Sequence, residues 1–254
     1  MSDTLLLEIR GNVLLITINR PQARNAMDFE AATALAAALD ELEARNDLSL
    51  AIITGAGGTF CSGMDLKGFL EGKRPSIPGR GFGGLTEKPP RKVLIAAIEG
   101  YAVAGGFEMA LACDLIVASR EAKFGLPEVK RGLVAAAGGL MRLPRQLPFH
   151  VAMEFALTGD MLAAERAYAY GLVNRLTEPG QALEGALALA GIVGANGPLA
   201  IAASKQIMVE SADWSREEMF ARQQPLTAPV FASADAREGA AAFAQKRKPV
   251  WQGK

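Results

Sequence analysis

The run Val93-Leu94-Ile95-Ala96-Ala97-Ile98, continued through Tyr101 into Ala104-Gly105-Gly106-Phe107-Glu108-Met109-Ala110-Leu111-Ala112-Cys113, carries the clearest structural signal in the chain. Six apolar residues without alternation read as a strand buried on both faces. The paired glycines stop it, and the apolar stretch behind them reads as a helix. The same theme appears upstream, where Ala51 to Thr54 is a short buried strand stopped by Gly55-Ala56-Gly57-Gly58. From Asp28 to Asn46 the apolar positions Phe29, Ala32, Leu35, Ala36, Leu39 and Leu42 recur every three or four residues, which predicts an amphipathic helix capped by Asp28. Leu5 to Ile9 and Val13 to Ile18 flank Gly11-Asn12 and predict an opening hairpin. Leu115 to Ala118 reads as a further strand; Glu165 to Tyr170 reads as a helix closed by Gly171, with Leu172-Val173 as another strand. Strands alternating with helices predict an α/β fold.

Beyond Gly180 the pattern is purely helical, and Ser215-Arg216-Glu217-Glu218 has the spacing of a capping box. The charge-free stretch from Gly185 to Ser204 is cut by Asn196-Gly197-Pro198, so it reads as two core helices and not as a membrane span. Gly72 to Lys92 is rich in Gly, Pro and basic residues and reads as a long mobile surface loop or lid. The 254 residues balance 27 Lys+Arg against 27 Asp+Glu, and half are apolar. That composition excludes a disordered chain, and it supplies no overall field to attract nucleic acid. Cys61 and Cys113 are too few for a disulfide framework and too far apart in sequence for a zinc site, which points to a reducing cytoplasm. The opening Met1-Ser2-Asp3-Thr4 has no basic run, and Leu5 to Leu7 is interrupted by Glu8 and Arg10, so export is not expected.

Familiar catalytic motifs fail in turn. His150 is the single histidine, and no Gly-x-Ser-x-Gly elbow accompanies it. Phe60 stands where a dinucleotide fingerprint needs its third glycine, and no stretch satisfies the P-loop pattern. Two glycine turns and two carboxylates remain. Glycines at the helix start of Gly105-Gly106 expose backbone N–H groups to an approaching anion. Glu108, three residues on, shares a face with Gly105 and leans back toward it. Its apolar neighbours would raise its pKa toward the range useful in proton transfer. The alternative is a first-turn Glu that complements the helix dipole. Glu128, after Pro127, either returns to the neighbourhood of Glu108 or is an ordinary surface carboxylate. The turn from Phe60 to Lys67 offers a second free N–H, with Asp65 placed to cap the next helix.

Together these residues resemble the enoyl-CoA hydratase/isomerase family, the crotonases. The resemblance runs through Asn19-Arg20-Pro21 with Asn25-Ala26, Phe60 to Lys67, Gly105-Gly106 with Glu108, Phe124-Gly125 with Pro127-Glu128, Gly138-Gly139, Thr158-Gly159 with Gly171-Leu172-Val173, and Lys246-Arg247-Lys248-Pro249. It implies an α/β spiral of ββα turns over residues 1–192 and a helical region, 193–254, that builds trimers, often paired into hexamers. It also implies an oxyanion hole, formed by the backbone N–H groups of Met64 and Gly105, for the thioester carbonyl of an acyl-CoA. Glu108 would deprotonate water for attack at Cβ, and Glu128 would protonate Cα. Arg24, Ala26, Asp65, Leu66 and Lys67 match positions at the CoA entrance, and the tail Lys246-Arg247-Lys248 is a candidate for the CoA of a neighbouring subunit. No metal and no separate cofactor are implied, since coenzyme A is part of the substrate.

With both carboxylates present, the resemblance points to hydration of a trans-2-enoyl-CoA. Gly105-Gly106-Phe107-Glu108, Leu126-Pro127-Glu128 and Leu140-Met141-Arg142-Leu143-Pro144 also resemble the carnitinyl-CoA dehydratase branch. The same residues are compatible with enoyl-CoA isomerisation and with a trimer that binds acyl-CoA without turning it over. Met64 stands where the hydratases usually have a small residue, and Ala135-Ala136-Ala137 replaces a Pro-Gly element before Gly138-Gly139.

Overall fold

The computed structural model describes residues 4–254; Met1 to Asp3 of the opening segment lie outside the described residues. The hairpin forms as its turn residues dictate. Leu5–Arg10 pairs antiparallel with Val13–Ile18, and Gly11 adopts φ +62° in the turn, a conformation that favours glycine. Four strands follow in parallel, giving a six-stranded sheet in the order Leu5–Arg10, Val13–Ile18, Leu50–Gly55, Val93–Ile98, Leu115–Ser119 and Arg175–Thr177. Its inner strands are buried on both faces, which is why they carry unbroken apolar runs. Leu14, Ile16, Ile53 and Ala96 pack against the helix Phe29–Ala44 and the glycine-led helix Gly105–Leu111. Val13, Leu15, Ile52 and Ile95 pack on the other side against Ala186 and Ala190 of the helix Ala182–Gly194. Asp28 caps Phe29–Ala44, its Oδ1 accepting from the Ala31 amide at 2.8 Å.

A second, smaller sheet gives the molecule its spiral form. Tyr101–Val103, Lys123–Gly125 and Met161–Ala163 pair side by side, and single bridges add Cys61 beside Ala102 and Met27 beside Met64. Each turn therefore contains a long strand, then a short strand or bridge, then a helix, as in Val93–Ile98, Tyr101–Val103 and Gly105–Leu111. The chain has an α/β spiral architecture, with helices alone after Thr177.

Three sequence expectations need correction. Leu172 and Val173 are not a strand: both amides donate to the Ala167 carbonyl, at 2.9 and 3.4 Å, and complete the turn after the helix Ala164–Ala169. The strand begins at Arg175, which pairs with Val117. Residues 72–92 are a surface loop only in part: residues 72–80 are mostly exposed, whereas the stretch after them packs inward. Ser76–Ile77 pairs with Gly81–Phe82, and residues 81–86 are buried. A Cβ on Gly83 would lie 2.4 Å from Met109 Sδ, and one on Gly84 2.6 Å from the Ala32 carbonyl, so these glycines serve close packing. The third correction concerns the stretch from Gly185 to Ser204, of which only the first helix is a core helix. Pro198–Glu210 has no buried residue and is tied down by Lys205, whose Nζ donates to the carbonyls of Pro90 and Lys92 at 2.7 and 2.9 Å and to Asp114 Oδ2 at 2.6 Å.

No single helix among the described residues is long and apolar enough to cross a membrane. Ser215 Oγ accepts from the Glu218 amide at 3.3 Å, as the capping spacing predicts, ahead of the helix Met219–Ala232; Ala234–Ala244 completes the chain's helices.

Candidate active site

The site begins with a buried amide side chain. Asn25 is held at φ +55°; its Nδ2 donates to the carbonyls of Ala56 and Thr59 at 2.8 and 2.6 Å, and its Oδ1 accepts from the Arg20 amide at 2.9 Å. This clamp sets Met27 beside the turn from Phe60 to Lys67. The Met27 amide donates to the Gly63 carbonyl at 2.8 Å, and the Asp65 amide donates to the Met27 carbonyl at 2.9 Å. Between these two bonds the Met64 amide donates to no other described residue. Gly63 makes the turn at φ +96°, and its own amide donates to Cys61 Sγ at 3.4 Å. Burial pushes that thiol up to about 12, so it stays a neutral thiol.

The second glycine turn lies directly against the first. A Cβ on Gly63 would sit 3.3 Å from the Gly105 nitrogen. Ala104 adopts φ +51° and ψ −130°, a conformation that costs a non-glycine residue about 1–3 kcal/mol. It is held there because its amide donates to the Gly125 carbonyl at 2.8 Å while its carbonyl accepts from the Glu108 amide at 3.0 Å. The strain turns the chain abruptly from strand to helix and leaves the Gly105 N–H at the helix start, where no intrahelical acceptor exists. Gly106 lets the helix lie on the Cys61 backbone, since a Cβ there would meet the Cys61 carbonyl oxygen at 2.3 Å. The fold thus sets two unengaged N–H groups, of Met64 and Gly105, on adjoining backbones.

The carboxylates sit differently from one another. Glu108 is 3% exposed, and its Oε1 accepts from the amides of Ala137 and Gly139 at 2.8 and 2.9 Å. Gly139 has no room for a side chain, because a Cβ would lie 2.9 Å from Glu108 Cγ. Burial pushes Glu108 above the ordinary carboxylate range, against the opposing pull of the Gly139 and Ala137 amides and of Arg142. Glu128 is half-buried in the tight turn Pro127–Arg131, and its Oε2 is buried without a hydrogen-bond partner. Burial also raises Glu128, and the charge of Glu108 raises it further, while its own backbone amide and Arg131 oppose the shift. Glu108 is thus cradled by amides while Glu128 keeps an open oxygen, and the charge of the first acts on the second.

The remaining sequence candidates divide. Ala26 is buried, and its carbonyl accepts from Arg20 Nη1. Asp65 caps the helix Leu66–Leu70 through the Lys67 amide at 3.0 Å and pairs with Arg20 Nη2 at 2.8 Å, so its carboxylate is engaged structurally. Arg24, Leu66 and Lys67 are exposed. In the basic tail, Arg247 is committed to a two-bond pair with Glu238 at 2.6 and 2.8 Å. His150 is exposed. Two residues near the site escaped the sequence reading. The Phe82 ring lies over Gly105, within 2.4 Å of where a Cβ would be, and Arg142 donates to the Thr86 carbonyl at 2.6 Å. The one available hint was a basic residue inside the apolar run Leu140-Met141-Arg142-Leu143.

Comparison with known proteins shows the family of the chain. A family model described as enoyl-CoA hydratase/isomerase matches residues 8–254. A carnitinyl-CoA dehydratase of Salmonella typhimurium is 43% identical over 263 residues, with 100% of both chains covered. Among solved structures, an enoyl-CoA hydratase from Mycobacterium tuberculosis H37Rv is 56% identical with a TM-score of 0.98, again over 100% of each chain. A carnitinyl-CoA hydratase from Mycobacterium avium is 42% identical with a TM-score of 0.80 over 100% of each.

Proposed function

Because the chain belongs to the enoyl-CoA hydratase/isomerase family, we propose that it adds water reversibly, in the syn sense, to the double bond of a trans-2-enoyl-CoA. The observation that carries this reading is the pairing of cradled Glu108 with Glu128, whose Oε2 is open, beside the two unengaged amides. In hydration, Glu108 accepts a proton from water as the oxygen attacks Cβ. The electron pair of the double bond moves toward the thioester, and the resulting enolate oxygen accepts hydrogen bonds from the Met64 and Gly105 amides. One such donor contributes about 2.7–4 kcal/mol in the transition state. Glu128 then delivers a proton to Cα, and dehydration runs the same steps backward. The exposed cluster of Arg24, Leu66 and Lys67 beside Met64 suits the nucleotide end of the CoA.

A second reading, dehydration of a carnitinyl-CoA-type substrate, is favoured by the names of the 43% identical curated relatives and uses the same groups. The two part on the acyl chain. Purified protein is expected to consume crotonyl-CoA, followed by loss of the conjugated enoyl-thioester absorbance, faster than the analogue carrying a terminal trimethylammonium group. The reverse preference would replace the first reading with the second, and binding of both thioesters without turnover would sink both. We also assign the exposed Phe220, Phe231 and Phe243 of the C-terminal helices to contacts between copies of the chain in a trimer or hexamer, and a cytoplasmic setting is in keeping with two free, buried thiols.

A further inference from the structure

We propose that Arg142 is a positioning residue for Glu108, setting a fixed positive charge behind the loop that cradles the carboxylate and tying that loop to residues 81–86. For its kinetic consequence only, this rests on the hydratase reading. Gly138 and Gly139 separate the two side chains by the thickness of a single backbone. A Cβ on Gly138 would fall 2.3 Å from Arg142 Nη1, and a Cβ on Gly139 would fall 3.1 Å from Glu108 Oε1. The first glycine makes room for the cation and the second for the carboxylate. Both belong to the segment whose amides, Ala137 and Gly139, donate to Glu108.

Nothing about the helix itself favours a cation here. Arg142 lies in the first turn of Gly139–Gln146, where the helix dipole disfavours positive charge, and its guanidinium is half-buried. Among the described residues its side chain has one hydrogen bond, from Nη2 to the Thr86 carbonyl. A guanidinium kept at an unfavourable helix end, partly desolvated and behind two obligatory small residues, is explained by the charge it faces. Guanidinium does not give up its proton in proteins, so its charge is permanent.

The charged surroundings of Glu108 are few. Arg142 faces it from Gly139–Gln146, Glu128 from Pro127–Arg131, and the Ala137 and Gly139 amides from the intervening loop. Arg131 acts on Glu128, and Cys113, on the far side of Arg142, is kept a neutral thiol by burial. Burial thus opposes ionisation of Glu108, and among the described residues Arg142 is the one cation that favours it. The Thr86 bond gives the same side chain a mechanical role, because residues 81–86 carry Phe82, which covers Gly105.

Infrared titration of the carboxyl stretch that disappears in Glu108→Gln tests this without substrate. In the wild type, Glu108 is expected to titrate above the ordinary carboxylate range, as its burial dictates. Arg142→Gln, which keeps a donor for the Thr86 carbonyl but no charge, is expected to raise the midpoint by about one pH unit; Arg142→Lys should restore it. The acid limb of kcat/KM for crotonyl-CoA hydration should move by the same amount. Coincident midpoints in wild type and Arg142→Gln would overturn the proposal. If Arg142→Gln fails to fold, Arg142→Met, which removes the same charge on a side chain of similar reach, decides by the same comparison with the wild type, and an inert enzyme with the expected midpoints would count against the hydratase reading alone.

Discussion

Glu108→Gln is expected to lower kcat for crotonyl-CoA hydration by about 10² to 10⁴ while leaving the fold intact. The carboxamide oxygen still accepts from the Ala137 and Gly139 amides, so the cradle survives, but the group no longer takes a proton from water. Stability should change in the opposite direction to activity. Burial raises the folded-state pKa of Glu108 above its ordinary value of 4.5, so the native state holds the proton more tightly than the unfolded chain. The stability linked to that proton is complete below the ordinary value and is lost as pH rises through the folded one. Glu108→Gln removes this loss. Its melting temperature should match that of the wild type in acid and exceed it at alkaline pH. Thermal melts at both pH values check this, and a variant that melts lower than the wild type only under alkaline conditions would contradict it.

Gly106→Ala is expected to be the most damaging single-carbon change at the site. The added Cβ would meet the Cys61 carbonyl oxygen at 2.3 Å and its carbonyl carbon at 2.8 Å, and both atoms are backbone. The start of the helix Gly105–Leu111 must then lift off the turn that carries Met64. Overpacking of this kind costs about 1–3 kcal/mol. Displacing a catalytic group by about 1 Å costs on the order of 10²-fold in rate. The loss should fall on kcat more than on KM, because the CoA-binding surface is left alone. Gly191→Ala is the control: nothing lies within 4 Å of its Cβ position in the helix Ala182–Gly194, and the change should stabilise by about 0.4–1 kcal/mol. Equal effects of the two substitutions would mean that contact with Cys61 does not set the helix.

Much of this architecture was legible in the sequence wherever a segment was long enough to show a period. The opening hairpin, the helix capped by Asp28 and the buried strand Val93–Ile98 all emerge near their expected bounds. The small sheet was not legible, because three-residue strands such as Tyr101–Val103 and Lys123–Gly125 carry no period at all and owe their pairing to tertiary contact. Residues 72–92 misled for a different reason. Glycine marks both flexible loops and close approach, and composition does not separate the two; here Gly83 and Gly84 allow packing on Met109 and Ala32.

At the site, Glu108 could be suspected from its place after Gly105, whereas Glu128 was credible only through resemblance, since its relation to Glu108 spans a turn of the spiral. Arg142 was invisible as a partner of Glu108 because the two meet across Gly138 and Gly139, far apart in sequence. The cap at Asp65 was legible, its carboxylate engaged by the Lys67 amide and by Arg20, a role that stands beside the CoA-entrance position implied by the resemblance.

In the proposed hydration two carboxylates divide the two proton transfers beside a pair of backbone amides, and Glu128→Gln tests this most directly. Glu128 makes no hydrogen bond through its buried Oε2, so the substitution removes no structural contact there. Crotonyl-CoA turnover by wild type and variant should be measured alongside the Kd of each for the same thioester. Turnover is expected to fall by about 10² to 10⁴ with Kd unchanged. Hydration by Glu128→Gln within about tenfold of the wild type would contradict the claim, because a positioned proton donor contributes more than that.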